Sequence, residues 1–157
     1  MSADFSRALK DRIAALAARY PSRPAALLPV LHAVQGEIGF VPPDAEREIA
    51  ALLGIQPIQV REAATFYTMI RRKPPGRYHI RVCDNLSCGL RGSAAILDRL
   101  RTRLGLAPGR TTADGKFSLD TVACVGACEI APCLMINFEY YGGLDPEGLD
   151  RLLDGLD

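Results

Sequence analysis

The sequence predicts an α/β protein in which a small helical N-terminal module, residues 1–73, precedes a domain of strands and helices, residues 74–157. Two observations carry this prediction. Apolar residues recur at helical spacing up to about residue 70, whereas beyond a proline-rich linker they alternate with polar residues as in a strand. A chain of 157 residues has room for one domain with a helical extension.

The overall charge excludes some classes of partner. The chain has 19 Lys and Arg residues against 18 Asp and Glu residues, a formal net charge of +1, so its bulk charge predicts binding neither to nucleic acid nor to an anionic membrane surface. No apolar stretch approaches the roughly 18 to 20 residues of a membrane span, and we expect no direct membrane insertion. The first residues lack the pattern of a secretory leader, which predicts a cytoplasmic location.

The first two predicted helices lie on either side of a proline. Apolar residues at helical spacing predict a helix over 5–20, which Pro21 ends. A second helix is predicted over 22–35, with Ser22 as its N-cap. Pro29 lies inside that second helix, where proline removes a backbone hydrogen bond, so we expect a kink or a later start.

Two further helices complete the predicted module. Asp44 is expected to cap the third helix and Gly54 to end it. The fourth helix is predicted over 57–69. Three of its large side chains are expected in the helical core: Phe66, Tyr67 and Met69.

After the linker at 71–76, the apolar period changes from that of a helix to that of a strand. Apolar and polar residues alternate over 77–83, which predicts a strand that ends at Cys83. Cys88 is expected in the short loop that follows, before a helix that ends near residue 105. The apolar face of that helix is assigned to Leu90, Ala94, Leu97 and Leu104.

A second strand also leads into a cysteine-containing loop. The turn at 113–115 opens a strand predicted over 116–123, and the loop at 124–128 follows it. A hairpin is predicted over 134–141. Asp145 is expected to cap a last helix.

Five cysteines give the sequence its strongest chemical signal. An odd number of thiols in a chain expected in a reducing compartment favours metal binding or catalysis over disulfides. Two pairs stand out, Cys83-x4-Cys88 and Cys124-x3-Cys128, with 35 residues between them. Each pair follows a predicted strand, so neighbouring strands would bring four thiolates together. Four thiolates are the ligands that a 2Fe-2S or 4Fe-4S cluster requires.

Spacing alone leaves other ligand sets and metals open. Cys128-x4-Cys133 repeats the spacing of the first pair and would replace Cys124 with Cys133, which is otherwise interpreted as a small buried side chain. The same thiols could hold a structural zinc ion, although zinc loops commonly use the tighter C-x2-C spacing.

Other polar residues contribute less to the site. His32 and His79 keep no ligand spacing with the cysteines and are interpreted as a helix residue and a strand residue. Arg81 and Arg91 are candidate cations near a cluster. The chain has neither a dinucleotide fingerprint nor a phosphate-binding loop, and it lacks the C-x-x-C of a thiol-disulfide enzyme. A protein that binds a cluster but has no substrate site of its own is typically a one-electron carrier.

Six short segments carry a resemblance to a known family. They are GFVP at 39–42, ATFY at 64–67, the strand and first cysteine pair at 78–88, DGKF at 114–117, the second pair with AP at 124–132, and MIN at 135–137. In these segments the chain resembles the thioredoxin-like 2Fe-2S subunit of NADH:quinone oxidoreductase, known as the E subunit of bacterial complex I.

The resemblance implies a fold and a ligand set. The fold is a thioredoxin-like 2Fe-2S ferredoxin domain, a mixed sheet flanked by helices, preceded by a small helical module. One 2Fe-2S cluster per chain is implied, with Cys133 in a non-ligand position. The implied ligands are Cys83, Cys88, Cys124 and Cys128.

The resemblance also implies partners. It places FMN and NAD on a separate flavin- and NADH-binding subunit with which the cluster exchanges single electrons, and it adds further iron-sulfur subunits. The chain would thus belong to an NADH dehydrogenase complex, would not be catalytic alone, and would reach a membrane only through that complex. The same module occurs as the gamma subunit of NAD-dependent formate dehydrogenases and in NAD-reducing hydrogenases. A zinc-stabilised interaction module is the remaining alternative.

Overall fold

This computed structural model of the chain describes residues 5–156. The chain forms two compact units, Met1–Pro74 and Pro75–Asp157. Residues 1–4 of the predicted module, and residue 157 of the predicted second domain, lie outside the described residues. Within the described part of the chain, no helix combines the length and apolar character that crossing a membrane requires.

The first unit is helical. Its α-helices are α1 (Arg7–Ala17), α2 (Leu27–Ile38), α3 (Pro43–Leu53) and α4 (Pro57–Phe66). A 3₁₀-helix, Arg23–Ala26, precedes α2. The helices enclose one apolar cluster, whose largest fully buried members include Leu9, Ile13, Leu31, Ile49 and Leu53.

The ends of α1 and α2 follow from capping and proline chemistry. Ser6 caps α1, and its Oγ accepts a hydrogen bond from the Leu9 N–H at 3.1 Å. The later start expected for the second helix is confirmed, since α2 begins at Leu27 and holds Pro29 in its first turn. Proline is tolerated there because the first N–H groups of a helix have no partner within it. The helix continues to Ile38, beyond the predicted end.

The predicted cap of the third helix is wrong. Pro42 occupies the N-cap position of α3, and Asp44 lies inside the first turn. A carboxylate there complements the positive end of the helix dipole without acting as the cap. Gly54 ends the helix as predicted.

The core role expected for Phe66, Tyr67 and Met69 is also wrong. Their exposed fractions are 77%, 44% and 47%. The buried residues of α4 are Val60 and Ala64, and the helix ends at Phe66. Phe66 follows Ala64 by two positions, which is more than half a helical turn around the axis, so its ring lies away from the buried face.

The second unit contains a five-stranded sheet with strand order β2-β3-β1-β4-β5. The strands are β1 (Tyr78–Cys83), β2 (Arg110–Thr111), β3 (Phe117–Val122), β4 (Cys133–Ile136) and β5 (Glu139–Gly142). The helices are α5 (Leu86–Leu90), α6 (Ser93–Leu104) and α7 (Pro146–Asp154), with a 3₁₀-helix over Cys128–Ile130. The pairing of β1 with β3 is parallel and the other pairings are antiparallel, so the sheet is mixed, as the family resemblance implies.

The central strand β1 is buried on both faces. Ile80 and Val82 belong to an apolar cluster with Leu100 of α6 and Leu149 of α7. Side chains alternate along a strand, so the residues between them, together with Cys83, point to the opposite face. The predicted strand, the hairpin β4–β5 and the last helix, capped by Asp145, are all confirmed.

The apolar face assigned to the helix after Cys88 is wrong in part. Leu90 is 78% exposed, and the buried apolar side chains of α6 are Ile96 and Leu100. Gly92, with φ +97°, separates α5 from α6. A left-handed residue at that break resets the helical phase, so Leu90 and the residues of α6 do not share one continuous face.

Candidate metal centre

The parallel pairing of β1 with β3 positions both cysteine loops. Cys83 lies opposite Val122 in the register of the two strands. Because adjacent parallel strands end at the same edge of a sheet, the chain after β1 and the chain after β3 leave the sheet side by side. Cys124 follows β3 by two residues. This confirms the expectation that neighbouring strands bring the two loops to one end of the sheet.

Asn85 connects the two cysteine segments. Its Oδ1 accepts a hydrogen bond from Leu86 N at 2.7 Å and caps α5, while its Nδ2 donates to the Ala123 carbonyl at 2.7 Å. The Cys83 thiol donates to the same carbonyl, with 3.9 Å between sulfur and oxygen. Cys88 lies within α5 rather than in the predicted loop, and it is fully buried. The first cysteine pair is thus fastened to the residue that precedes Cys124.

Cys133 lies close to the first cysteine pair, on β4, the strand that pairs with β1 along the edge opposite to β3. It is the first residue of β4, which is antiparallel to β1 with Leu134 opposite Val82. Its Sγ lies 3.5 Å from the Cys88 Sγ. The Sγ atoms of Cys83, Cys88 and Cys133 all lie within 4.8 Å of one another, and all three residues are buried. Such a group of sulfurs can hold a thiophilic metal ion.

Cys124 and Cys128 are exposed, and their sulfurs do not belong to the group within 4.8 Å. The Gly126 N–H donates to the Cys124 Sγ at 3.2 Å, from a backbone with φ +82° that suits glycine. The neighbouring Cys124 raises the pKa of the Cys128 thiol most, and Cys88 and Cys83 add smaller contributions. The other three cysteines singled out from the sequence, Cys83, Cys88 and Cys124, therefore lie within electrostatic range of Cys128.

The electrostatics distinguish Cys133. Burial, followed by hydrogen bonding and charge from Cys88 and then Cys83, raises the pKa of the Cys133 thiol to about 12. A buried thiol beside other sulfurs favours its neutral form because the thiolate would be poorly solvated and close to like charge. Cys133 is the site residue that the two cysteine pairs leave out, and its only signal in the sequence is the repeated x4 spacing.

The donor set fits an iron-sulfur cluster. Thiolates are the usual ligands of iron-sulfur clusters, and a backbone N–H directed at a ligand sulfur, as between Gly126 and Cys124, is a typical second interaction around them. The histidines lie elsewhere. His79 Nε2 is 2.6 Å from Asp120 Oδ2, and His32 is an exposed residue of α2.

A buried cation lies on the same strand as the first ligand. Arg81 precedes Cys83 by two residues and shares its face of β1, and its guanidinium donates to the Asn137 carbonyl at 2.9 Å. Burial lowers the pKa of Arg81. Arg91 is exposed. The influence of either arginine on a cluster stays a prediction.

Comparison with known proteins identifies relatives for most of the chain. The model of the family described as thioredoxin-like [2Fe-2S] ferredoxin matches residues 13–157. An NADH-quinone oxidoreductase E subunit of Rhizobium meliloti (strain 1021) is 47% identical over 146 residues, which cover 93% of this chain and 87% of the relative. The NADH-quinone oxidoreductase E subunit of Mycobacterium bovis is 44% identical over 138 residues, which cover 88% of this chain and 55% of the relative. The chain thus spans about half the length of the mycobacterial relative.

A solved structure extends these similarities. The crystal structure of an NAD+-reducing [NiFe]-hydrogenase in the H2-reduced state matches with a TM-score of 0.72 and 27% sequence identity. The match covers 87% of this chain and 23% of the hydrogenase chain. Because neither unit alone accounts for 87% of the chain, the matched region includes residues of both units.

Proposed function

The chain belongs to the thioredoxin-like [2Fe-2S] ferredoxin family, and from this premise we propose that it is an electron-transfer subunit that binds one 2Fe-2S cluster through two pairs of cysteines. The proposed ligands are Cys83, Cys88, Cys124 and Cys128. The observation that carries the proposal is the parallel pairing of β1 with β3, which delivers both pairs to one edge of the sheet.

The two pairs differ in their surroundings. Cys83 and Cys88 are buried, whereas Cys124 and Cys128 are exposed. When bound, a 2Fe-2S cluster supplies reversible one-electron transfer at a potential set by charge, hydrogen bonds and exposure. The buried pair excludes water from one side of the site, and the exposed loop 124–128 offers the side that a redox partner can approach. We assign Cys133 no ligand role because the two pairs already supply four thiolates.

The proposed partner is the NADH-oxidising subunit of a larger complex. Relatives named as E subunits of NADH-quinone oxidoreductase support this assignment, as does the absence of a nucleotide-binding motif from this sequence. We propose that the chain exchanges single electrons with FMN on that partner and adjoins further iron-sulfur subunits. The NADH site then belongs to the partner, the chain is not catalytic alone, and the complex lies on the cytoplasmic side.

A second holoenzyme has structural support. The similarity to the NAD+-reducing hydrogenase covers most of this chain, so the same electron-transfer role is compatible with a complex that oxidises hydrogen. Purifying the native complex through this chain, followed by separate assays with NADH and with hydrogen as electron donors, distinguishes the two. Activity with NADH and a quinone but none with hydrogen supports the quinone oxidoreductase.

Cluster loading of the purified full-length chain tests the proposal directly. We expect about two iron and about two acid-labile sulfide per chain, and an EPR signal that appears on reduction with dithionite. Cys124→Ser should abolish the signal and the bound sulfide because one iron loses a thiolate. Ser87→Ala, a substitution of an exposed residue next to Cys88, is the control and should retain both. Stoichiometric zinc without sulfide would reject the electron-transfer role.

A further inference from the structure

A fifth thiol lies directly beside the proposed ligands. The Cys133 Sγ is 3.5 Å from the Cys88 Sγ, within the range of a hydrogen bond between sulfurs. Cys133 and Cys88 are 3% and 0% exposed, so water does not compete for this contact. The contact between the two sulfurs therefore lies in the interior beside the proposed cluster site, not at the surface.

The surroundings of Cys133 favour a sulfur as the acceptor of its thiol proton. The buried cluster that contains Cys133 otherwise consists of Cys83, Cys88 and the apolar side chains of Ala127 and Ala131, with Val125 packed against it. The hydrogen-bond partner of the Cys133 sulfur is the Cys88 sulfur, and an unmade hydrogen bond in an apolar environment costs free energy.

The sheet fixes the position of this thiol. Cys133 begins β4, and the register that places Leu134 opposite Val82 continues to place Cys133 opposite Cys83. On the other side, Cys133 pairs with Gly142 of β5. Pairing with strands on both sides restrains the backbone of Cys133 more than that of a residue in a loop.

We infer that Cys133 donates an S–H···S hydrogen bond to the Cys88 sulfur, and that this hydrogen bond raises the reduction potential of the cluster. The inference rests on the function proposed above. Reduction adds one negative charge to the cluster and its sulfurs, and a hydrogen bond to a ligand sulfur stabilises that charge. Cys133 is thus a positioning residue that acts through a ligand, and no bond to iron is formed or broken.

Redox titration of two variants of the loaded full-length chain tests this inference. Cys133→Ala removes the donor, so we expect its midpoint potential, measured by EPR, to be lower than that of the wild type. Its iron and sulfide contents should equal those of the wild type. Cys133→Ser keeps a donor at the same position and should retain most of the wild-type potential. An unchanged potential in Cys133→Ala would overturn the inference. Loss of the cluster from a Cys133→Ala variant that folds like the wild type by circular dichroism would also overturn it, since that loss would identify Cys133 as a ligand.

Infrared spectroscopy of the loaded wild-type chain gives an independent test. Four of the five thiols lose their protons to iron binding, so one S–H stretching band should remain, at a lower frequency than that of a thiol without an acceptor. The band should disappear in Cys133→Ala. If the loaded wild-type protein shows no S–H band, Cys133 donates no such hydrogen bond and the inference is wrong. This result does not depend on whether the alanine variant folds.

Different results would contradict the proposed function and the hydrogen bond from Cys133. A wild-type chain that takes up no sulfide contradicts the proposed function itself. A wild-type chain that loads normally, but whose potential does not respond to Cys133→Ala, contradicts only the hydrogen bond from Cys133.

Discussion

Gly142 of β5 lies against the segment that carries Cys128. A Cβ atom added at Gly142 would lie 2.4 Å from the Ile130 carbonyl oxygen and 2.5 Å from the Ile130 Cβ. The next residue, Gly143, donates its N–H to the same carbonyl at 2.7 Å. Close approach of the two backbones therefore requires glycine at position 142.

Gly142→Ala should destabilise the protein and impair cluster uptake. The added methyl group would displace Ile130 and with it the 3₁₀-helix that begins at Cys128, at a cost of about 1–3 kcal/mol in the free energy of unfolding. Urea denaturation of the cluster-free protein and sulfide content after reconstitution measure the two effects. Gly155→Ala is the control, since its Cβ would lie 3.6 Å from the nearest atom. Equal stability of the wild type and Gly142→Ala would contradict the argument.

The positions of Cys83 and Cys124 at strand ends can be predicted from the sequence, whereas the position of Cys133 beside Cys88 cannot. Cys83 and Cys124 each follow a stretch with the period of a strand, so their position at strand ends is a local property. The proximity of Cys133 to Cys88 depends on the pairing of β4 with β1, and pairing across some fifty residues leaves no periodic trace in the sequence. Phe66 is a different case, because the sequence pattern predicts this aromatic residue near a helix end to be buried, whereas it is exposed in the structure.

At the scale of elements, an ion pair joins α6 to α7. The guanidinium of Arg99 on α6 contacts both carboxylate oxygens of Asp150 on α7, and its Nε lies 3.1 Å from Oδ1. This contact lowers the pKa of Asp150. The two helices pack on the same face of the sheet through Leu100 and Leu149. The ion pair thus lies at the outer margin of an apolar contact.

The ion pair should make stability depend on pH in a defined direction. Because the folded-state pKa of Asp150 is below the ordinary value of 3.8, the pair stabilises the fold above that value, and the stabilisation disappears as the pH falls through the folded-state pKa. Asp150→Asn should therefore lower the melting temperature of the cluster-free protein at pH 7, and the difference from the wild type should shrink on acidification.

Asp98→Asn provides the matched control for this prediction. Asp98 also contacts an arginine, Arg101, at 3.3 Å, but it lies on α6 itself and its side chain is 73% exposed. Exposed pairs of this kind contribute little to stability, so the control should melt close to the wild type. A melting-temperature difference for Asp150→Asn that stays constant with pH would contradict the role of its charge.

The elements that are predicted correctly carry strong local signals. Gly54 and Gly105 mark the ends of α3 and α6 in both the sequence and the structure. In contrast, α5 has five residues and β2 has two, and neither is long enough to show a period. The sequence does not predict the break at Gly92 either, because a glycine inside an apolar pattern is compatible with an uninterrupted helix.

At the scale of the whole molecule, all five cysteines belong to the unit Pro75–Asp157. That unit also has its own apolar cluster, formed by the sheet with α6 and α7, and all five strands of the sheet. The elements that form the candidate metal centre are therefore contained in one compact unit.

A fragment of residues 75–157 should consequently fold and take up the cluster without the helical unit. We expect its iron and sulfide contents, and its EPR signal after reduction, to match those of the full-length chain, because every proposed ligand and the strands that position them are retained. The fragment of residues 1–74 is the control and should be helical by circular dichroism and colourless. An unfolded 75–157 fragment, or one that takes up no sulfide, would contradict this expectation.

The division of the chain can be predicted from the sequence better than the arrangement of its strands. The change from helical to strand period lies next to the linker, so it can be located along the chain. The order β2-β3-β1-β4-β5 depends on which strands pair. The family resemblance implies a mixed sheet, whereas no pattern within a single strand does.

The two outermost strands of the sheet are short. β2 has two residues and β5 has four, so the sheet offers few free amide and carbonyl groups along its borders. Long open borders allow strands from other molecules to add and aggregates to grow. The two borders of this sheet are therefore poorly suited to the addition of strands from other copies of the chain.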